Sequence, residues 1–201
     1  MDAIILASSS PRRRELLSMT GIPFEVLPGE VDEGSVEFDG TPSEKAEMLA
    51  RLKACTVAEK VKKGLVLGAD TIVVCDGRVF GKPMDDNDAR RMLETLSGRE
   101  HLVITGVALV NAENREIRTG HEITRVRFSR LNKREIEAYI ATGEHMDKAG
   151  AYAVQGKGAF FVEGIEGCYS NVVGLPLKKL YNMLFEFGVS VWDWLMQKEK
   201  Y

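Results

Sequence analysis

The sequence predicts an α/β protein with a mixed sheet and flanking helices, and three observations carry that expectation. Short apolar runs alternate with capped, amphipathic segments through the first half of the chain, as strand–helix–strand units require. Two long strand-like runs in the middle, His101–Val110 and Ile117–Arg130, are joined by little more than a turn near Ala112–Asn114, so this pair is expected to be antiparallel. Helical patterns then resume, so parallel and antiparallel pairing should occur in one chain.

In order, Ile4–Ala7 reads as the first strand. Ser10 is a favoured N-cap and Pro11 a favoured first helical residue, which predicts a helix over Pro11–Thr20, ended by Gly21 and Pro23. Phe24–Leu27 resumes as a strand, and this strand–helix–strand start should be parallel and right-handed. After the acidic run Gly29–Gly34, Thr41-Pro42-Ser43-Glu44 forms a capping box for a second helix, expected to reach about Lys63 before Gly64. Leu65–Val74 is an apolar strand of the fully buried kind, interrupted by Gly68-Ala69-Asp70-Thr71. Asp76-Gly77 predicts a tight turn into a short return strand over Arg78–Gly81. Asp86 or Asn87 should cap a helix to Leu96, where Ser97-Gly98 stops it. In the second long strand, Thr124, Val126 and Phe128 alternate as one face. Asn132-Lys133-Arg134-Glu135 caps a helix to Thr142, and Asp147–Gln155 and Ala159–Ile165 read as strand-like around Gly156-Lys157-Gly158. Pro176–Phe187 is an amphipathic helix ended by Gly188, followed by a tail with Trp192 and Trp194.

With 201 residues, the chain can bury a sizeable core as one large domain or two small lobes. A net charge of −3 argues against bulk nucleic-acid binding, which needs a cationic surface to displace counterions. Local basic clusters in a mildly acidic chain point to a small anionic ligand instead. Cys55, Cys75 and Cys168 are scattered and odd in number, as expected for free thiols in a reducing cytosol. The three histidines, His101, His121 and His145, do not cluster, so no zinc site is expected. No apolar run approaches the roughly 20 residues that span a bilayer, and no signal-peptide pattern opens the chain. A cytoplasmic, soluble protein is the expectation.

Three arginines, Arg12, Arg13 and Arg14, occupy the first turn of the first helix, where unpaired N–H groups already carry partial positive charge. Either they fan out into water, or they join the serines Ser8-Ser9-Ser10 and the helix N-terminus in a site for an oxyanion, phosphate above all. Lys53 falls inside the apolar stripe of the second helix (Ala46, Leu49, Ala50, Val57, Val61). It either snorkels to the surface or points its ammonium into a cleft, where an anion must compensate it. Asp70, in the middle of a buried strand, must be paired, metal-bound or protonated. A buried carboxylate accepting backbone N–H bonds is one reading. With Glu33 on the acidic loop, a two-carboxylate site for a hard cation such as Mg²⁺ or Mn²⁺ is the other. Asp32 and Glu33 taken alone read first as a solvated acidic turn. Gly81-Lys82-Pro83 sets a further lysine on a loop with a rigid exit. Together, Ser8, Arg12, Arg13, Lys53 and Lys82 oppose Glu33 and Asp70 as a set able to neutralise a polyphosphate while a carboxylate deprotonates water. No P-loop, dinucleotide fingerprint or Ser–His or Cys–His constellation is present, which favours direct attack by water.

At these residues the chain resembles the Maf-like nucleoside triphosphate pyrophosphatases. The resemblance rests on Leu6-Ala7-Ser8-Ser9-Ser10-Pro11-Arg12-Arg13, Val31-Asp32-Glu33, Gly68-Ala69-Asp70-Thr71 and Gly81-Lys82-Pro83. Ser97-Gly98-Arg99 through Thr105-Gly106-Val107, Asp147-Lys148-Ala149-Gly150-Ala151-Tyr152 and Val173-Gly174-Leu175-Pro176-Leu177 extend it. It runs from Ile4 to about Phe187 and leaves out the tail from Ser190. It implies one domain over 1–201, a fold similar to inosine triphosphate pyrophosphatases with two lobes around a central cleft, and a homodimer. It implies metal-dependent hydrolysis of a nucleoside triphosphate to the monophosphate and pyrophosphate. By motif, Asp70 looks like the proton acceptor and, with Glu33, a metal ligand, and Ser8, Arg13, Lys53 and Lys82 look like phosphate-binding residues. Arg12, Thr71 and Gln155 sit where base preference is set. They resemble the subgroup acting on dTTP and UTP, unlike the 7-methyl-GTP subgroup, which carries a bulky aromatic at the position of Arg12. Alternatives are a nucleotide-binding regulator of cell division with incidental hydrolysis, or a pyrophosphatase acting on a modified nucleotide. A nucleic-acid-binding role for the arginine cluster is disfavoured by the net charge.

Overall fold

A computed structural model describes residues 3–29, 31, 36 and 38–198. The chain divides into two compact units: Met1–Asp70 with Thr105–Glu122 and Gly174–Tyr201, and Thr71–Ile104 with Ile123–Val173. Seven strands form one mixed sheet in the order β2-β1-β3-β5-β6-β7, with β4 paired to β3. Three strands, β3 (Leu65–Cys75), β5 (Glu100–Asn111) and β6 (Ile117–Phe128), contribute a segment to each unit.

In the first unit, β1 (Ile4–Leu6) pairs in parallel with β2 (Phe24–Val26) and with β3, in the register Ile4↔Phe24 and Leu6↔Leu67. Helix α1 (Pro11–Met19) joins β1 to β2, as the Ser10-Pro11 signal predicts, and the Ser10 side chain accepts from the Arg13 amide. Helix α2 (Pro42–Ala58) starts with the capping box Thr41–Glu44. It lies almost directly on the sheet through small residues. A Cβ on Gly68 would come 2.1 Å from the Ala50 carbonyl oxygen, and one on Gly106 would come 2.2 Å from the Ala46 carbonyl group. Ala7, Ala50, Ala54, Val57, Ala58, Val66 and Ala108 make the core between them. Helix α6 (Leu177–Glu186) buries Leu180, Met183 and Leu184. Val191–Lys198, expected only as a tail, forms a further helix, α7. Trp194 is buried, and the Leu195 side chain fills the space beside Gly21.

In the second unit, β3 turns at Asp76-Gly77, both at positive φ, into antiparallel β4 (Arg78–Phe80). Helices α3 (Asp86–Leu96) and α4 (Lys133–Ile140) follow, then 3-10 turns at Ala149–Ala151 and Gly156–Phe161, β7 (Val162–Glu166) antiparallel to β6, and α5 (Tyr169–Val173). Its core packs Val73, Leu93, Leu96, Phe128, Ile136 and Phe161. Within it, His101 Nε2 and Tyr152 Oη are hydrogen-bonded at 2.7 Å, and Phe128 meets both rings edge-on. Burial lowers the His101 pKa to about 4 and raises that of the Tyr152 phenol.

The structure departs from the sequence reading elsewhere too. Helix α2 stops at Ala58, five residues short of Lys63, because its last turn tightens (the Lys60 amide donates to Val57) and Val61 drops onto the core. Strand β3 is continuous through Gly68–Thr71, since Gly68 accommodates the helix and the strand does not break. Asp85, one residue before the expected cap, accepts from the Asp88 amide at 2.7 Å. Asp147–Gln155 is not a strand: Gly150 and Ala151 take positive φ, and Gly150 packs tightly against Val73. Of Ala159–Ile165, only the portion from Val162 is a strand.

Candidate active site

The first unit assembles a charged site from the segment after β1, the first turn of α1, the interior of α2 and the middle of β3. Because Gly68 lets α2 sit on β3, Lys53, one residue before Ala54, reaches down to the same strand two residues further on. Its ammonium lies 2.5 Å from Asp70 Oδ1, and both side chains are at most 10% exposed. Lys53 therefore does not snorkel, and Asp70 is an anion that compensates it. The chain after β2 closes against the helix here, for a Cβ on Gly29 would come 2.5 Å from the Lys53 carbonyl oxygen. A buried ion pair of this kind gives poor return in stability, because desolvation offsets much of the attraction.

The second pair stands on the neighbouring strand end. The Ala7 amide donates to the Leu67 carbonyl at 2.8 Å, and continuing that register sets Ser8 level with Ala69, one residue from Asp70. The buried Ser8 Oγ accepts from the Ser10 amide at 3.3 Å and from Arg13 Nη1 at 3.2 Å. Both lone pairs are thereby used, so the hydroxyl meets any further partner as a donor, which suits an anion. Arg13 Nε donates to the Gly174 carbonyl at 2.8 Å. Of the three arginines in the first turn, Arg14 is exposed, Arg12 is half-buried and Arg13 is tied in place.

The second unit carries the other expected residues on separate elements. Thr71 is half-buried in β3, Lys82 is exposed on the loop after β4, and Gln155 is half-buried just before the second 3-10 turn. The Lys82 loop is pinned within its unit by the Gly150 amide, which donates to the Gly81 carbonyl at 3.0 Å. Glu33 and Asp32 lie outside the described residues. Among the described residues no group of three or more acidic, histidine or cysteine side chains is placed to hold a metal, and no helix is long and apolar enough to cross a membrane. Sequence reasoning missed the Gly174 carbonyl and the Gly29 backbone. The signal for both was a glycine within a loop, and for Gly174 also the motif Val173–Leu177 that carries the resemblance.

The α/β scaffold thus sets a buried Lys–Asp pair near a serine and a fixed guanidinium, groups whose chemistry suits an anionic ligand. The chain belongs to the Maf-like protein family, whose model matches residues 3–187, so that α7 lies beyond the match. A dTTP/UTP pyrophosphatase of Ruminiclostridium cellulolyticum is 55% identical over 184 residues, covering 92% of this chain and 95% of that protein. Another of that name, from Pelotomaculum thermopropionicum, is 52% identical over 191 residues, covering 95% of this chain and 100% of that protein. Among solved structures, a HAM1 protein from Coxiella burnetii aligns over 92% of this chain and 100% of its own, at 17% identity and a TM-score of 0.49.

Proposed function

We propose that this chain hydrolyses dTTP and UTP to the nucleoside monophosphate and pyrophosphate. The observation that carries the reading is the buried Lys53–Asp70 pair beside Ser8 and Arg13. A site that only bound polyphosphate would gain nothing from a carboxylate in the same recess, whereas a hydrolase needs a proton acceptor there. Ser8, Arg13 and Lys53 hold the phosphates, and Lys82 is a further phosphate ligand by its motif. A polyphosphate beside Lys53 gives its ammonium a second anion, and Asp70 is then left to take a proton from water. That water attacks phosphorus, the bond between the first and second phosphates breaks, and pyrophosphate leaves. Carboxylate oxygens are hard donors of the kind that Mg²⁺ and Mn²⁺ take from one or two carboxylates plus substrate phosphates, so Asp70, with Glu33, fits a divalent cation. Bound there, the cation would neutralise phosphate oxygens and polarise the reacting phosphoryl group. Arg12, Thr71 and Gln155 set the base preference: the amide of Gln155 and the hydroxyl of Thr71 both donate and accept, matching the carbonyl–imide–carbonyl edge of uracil and thymine. The protein acts in the cytoplasm, as a homodimer.

The test is pyrophosphate release from dTTP, UTP, CTP, the purine triphosphates and 7-methyl-GTP with Mg²⁺ or Mn²⁺. dTTP and UTP should be cleaved far better than the rest, since the amino group of CTP leaves buried partners unpaired. Asp70→Asn should lose on the order of 10²–10⁴ in turnover while still binding triphosphate. Equal kcat/KM for dTTP, CTP and 7-methyl-GTP would overturn the base assignment. Undiminished turnover in Asp70→Asn would remove Asp70 from its role.

A further inference from the structure

Arg13 is held by more than the serine loop. Its Nε donates to the carbonyl of Gly174, 161 residues away in sequence, at 2.8 Å, while Nη1 donates to Ser8 Oγ at 3.2 Å. A guanidinium bonded through two different nitrogens is fixed in plane as well as in position, which one contact alone cannot achieve. Gly174 sits between α5 and Pro176 at φ +125°, in the region that favours glycine. Pro176 fixes its own φ and restricts Leu175, so the turn has little freedom to re-aim the carbonyl once Gly174 is set. The tie lies wholly within the first unit, which also holds Lys53 and Asp70.

We infer that Gly174 is a positioning residue for catalysis: its left-handed backbone aims a carbonyl that locks the Arg13 guanidinium at the phosphate-binding end of the site. This rests on the reading of Arg13 as a phosphate ligand. A guanidinium orientated before the substrate arrives loses less freedom on binding, so its contacts are realised in full when the phosphate charge must be stabilised. Any side chain at position 174 strains this φ, and relief of that strain turns the carbonyl away.

The experiment is a double-mutant cycle on the full-length chain, read as kcat/KM for dTTP, pyrophosphate affinity by calorimetry, and Tm. Gly174→Ala should lower kcat/KM about tenfold and Arg13→Ala on the order of 10²-fold, given what a charge-assisted contact contributes. In the Arg13→Ala background, Gly174→Ala should change kcat/KM by less than about twofold while lowering Tm as much as it does alone. Equal losses in both backgrounds, or no loss from either single change, would overturn the inference. Should Gly174→Ala fail to fold, Arg13→Lys decides. Lysine keeps the charge but cannot bond Gly174 and Ser8 together, so it should be nearly as impaired as Arg13→Ala, and near-parental activity in Arg13→Lys would refute positioning. If the parent protein releases no pyrophosphate from dTTP or UTP, the functional reading falls, and the same cycle in pyrophosphate affinity still judges the role of Gly174.

Discussion

Replacing Lys53 with methionine separates what the buried ion pair does for the fold from what it does for chemistry. Methionine matches the lysine stem but leaves Asp70, 4% exposed, facing a core without its ammonium. Removing one partner of a buried pair costs about 3–5 kcal/mol. For a chain of this size each kcal/mol corresponds to about 2–4 °C in Tm, so the variant should melt roughly 6–20 °C lower. Both tryptophans, Trp192 and Trp194, lie in α7 of the same unit, and Trp194 is buried, so urea unfolding followed by tryptophan emission reads that unit. The double variant Lys53→Met/Asp70→Leu should regain most of the loss, since replacing both ions by apolar groups is often neutral or stabilising by about 1–4 kcal/mol. It should remain inactive. A Lys53→Met protein within about 1 kcal/mol of the parent, or a double variant no more stable than the single, would refute the reasoning.

Two further outcomes are expected. Gly68→Ala and Gly106→Ala should each cost about 1–3 kcal/mol or more, because the new methyl meets helix backbone that cannot turn aside. Gly68→Ala should also lose the greater share of turnover, since its clash is at Ala50 and Ala54, beside Lys53; equal losses in kcat from the two variants would count against this. His101 brings a pH dependence. Unfolded, its ring binds a proton near pH 6.5, whereas the buried ring resists protonation until about 4. Its contribution is therefore full above pH 6.5, falls as the pH drops through that window and levels off below it, for a total of about 3 kcal/mol. His101→Gln should flatten the urea-unfolding stability profile between pH 4 and 6.5, and an unchanged profile would show that other groups carry it.

Local signals were read well where one or two side chains decide the backbone. Ser10-Pro11, the Thr41–Glu44 and Asn132–Glu135 boxes and Asp76-Gly77 each fix a cap or turn by their own chemistry. The reading failed where tertiary packing overrides such signals. Asp147–Gln155 has strand-like composition, yet Gly150 is drawn against Val73, far earlier in sequence, and the segment folds into turns. The tail with Trp192 and Trp194 was not read as a helix, because its packing is tertiary: Val191 and Trp194 are buried and Leu195 lies against Gly21. At the site, residue types were legible at Asp70 and Lys53, since a charge in an apolar run demands an explanation. That each explains the other was not legible, because the pairing depends on the missing side chain of Gly68. The Gly174 tie to Arg13 was hidden for a related reason: the bond is made by backbone, which leaves no mark on side-chain pattern.

The seating of α2 on bare backbone also sets limits on how the protein could be made more robust. Exchanging glycine for alanine is among the most dependable ways to raise thermal tolerance, as it narrows the freedom of the unfolded chain. Here a designer must sort the glycines by what lies above them. Gly68, Gly106 and Gly29 have carbonyl groups where the methyl would go, and Gly174 needs its own dihedral angle. Gly81 has open space around it and an ordinary φ, so it is a position where the substitution has room. A library that replaced glycines without regard to this helix would pull apart the contact that holds the lysine to its aspartate.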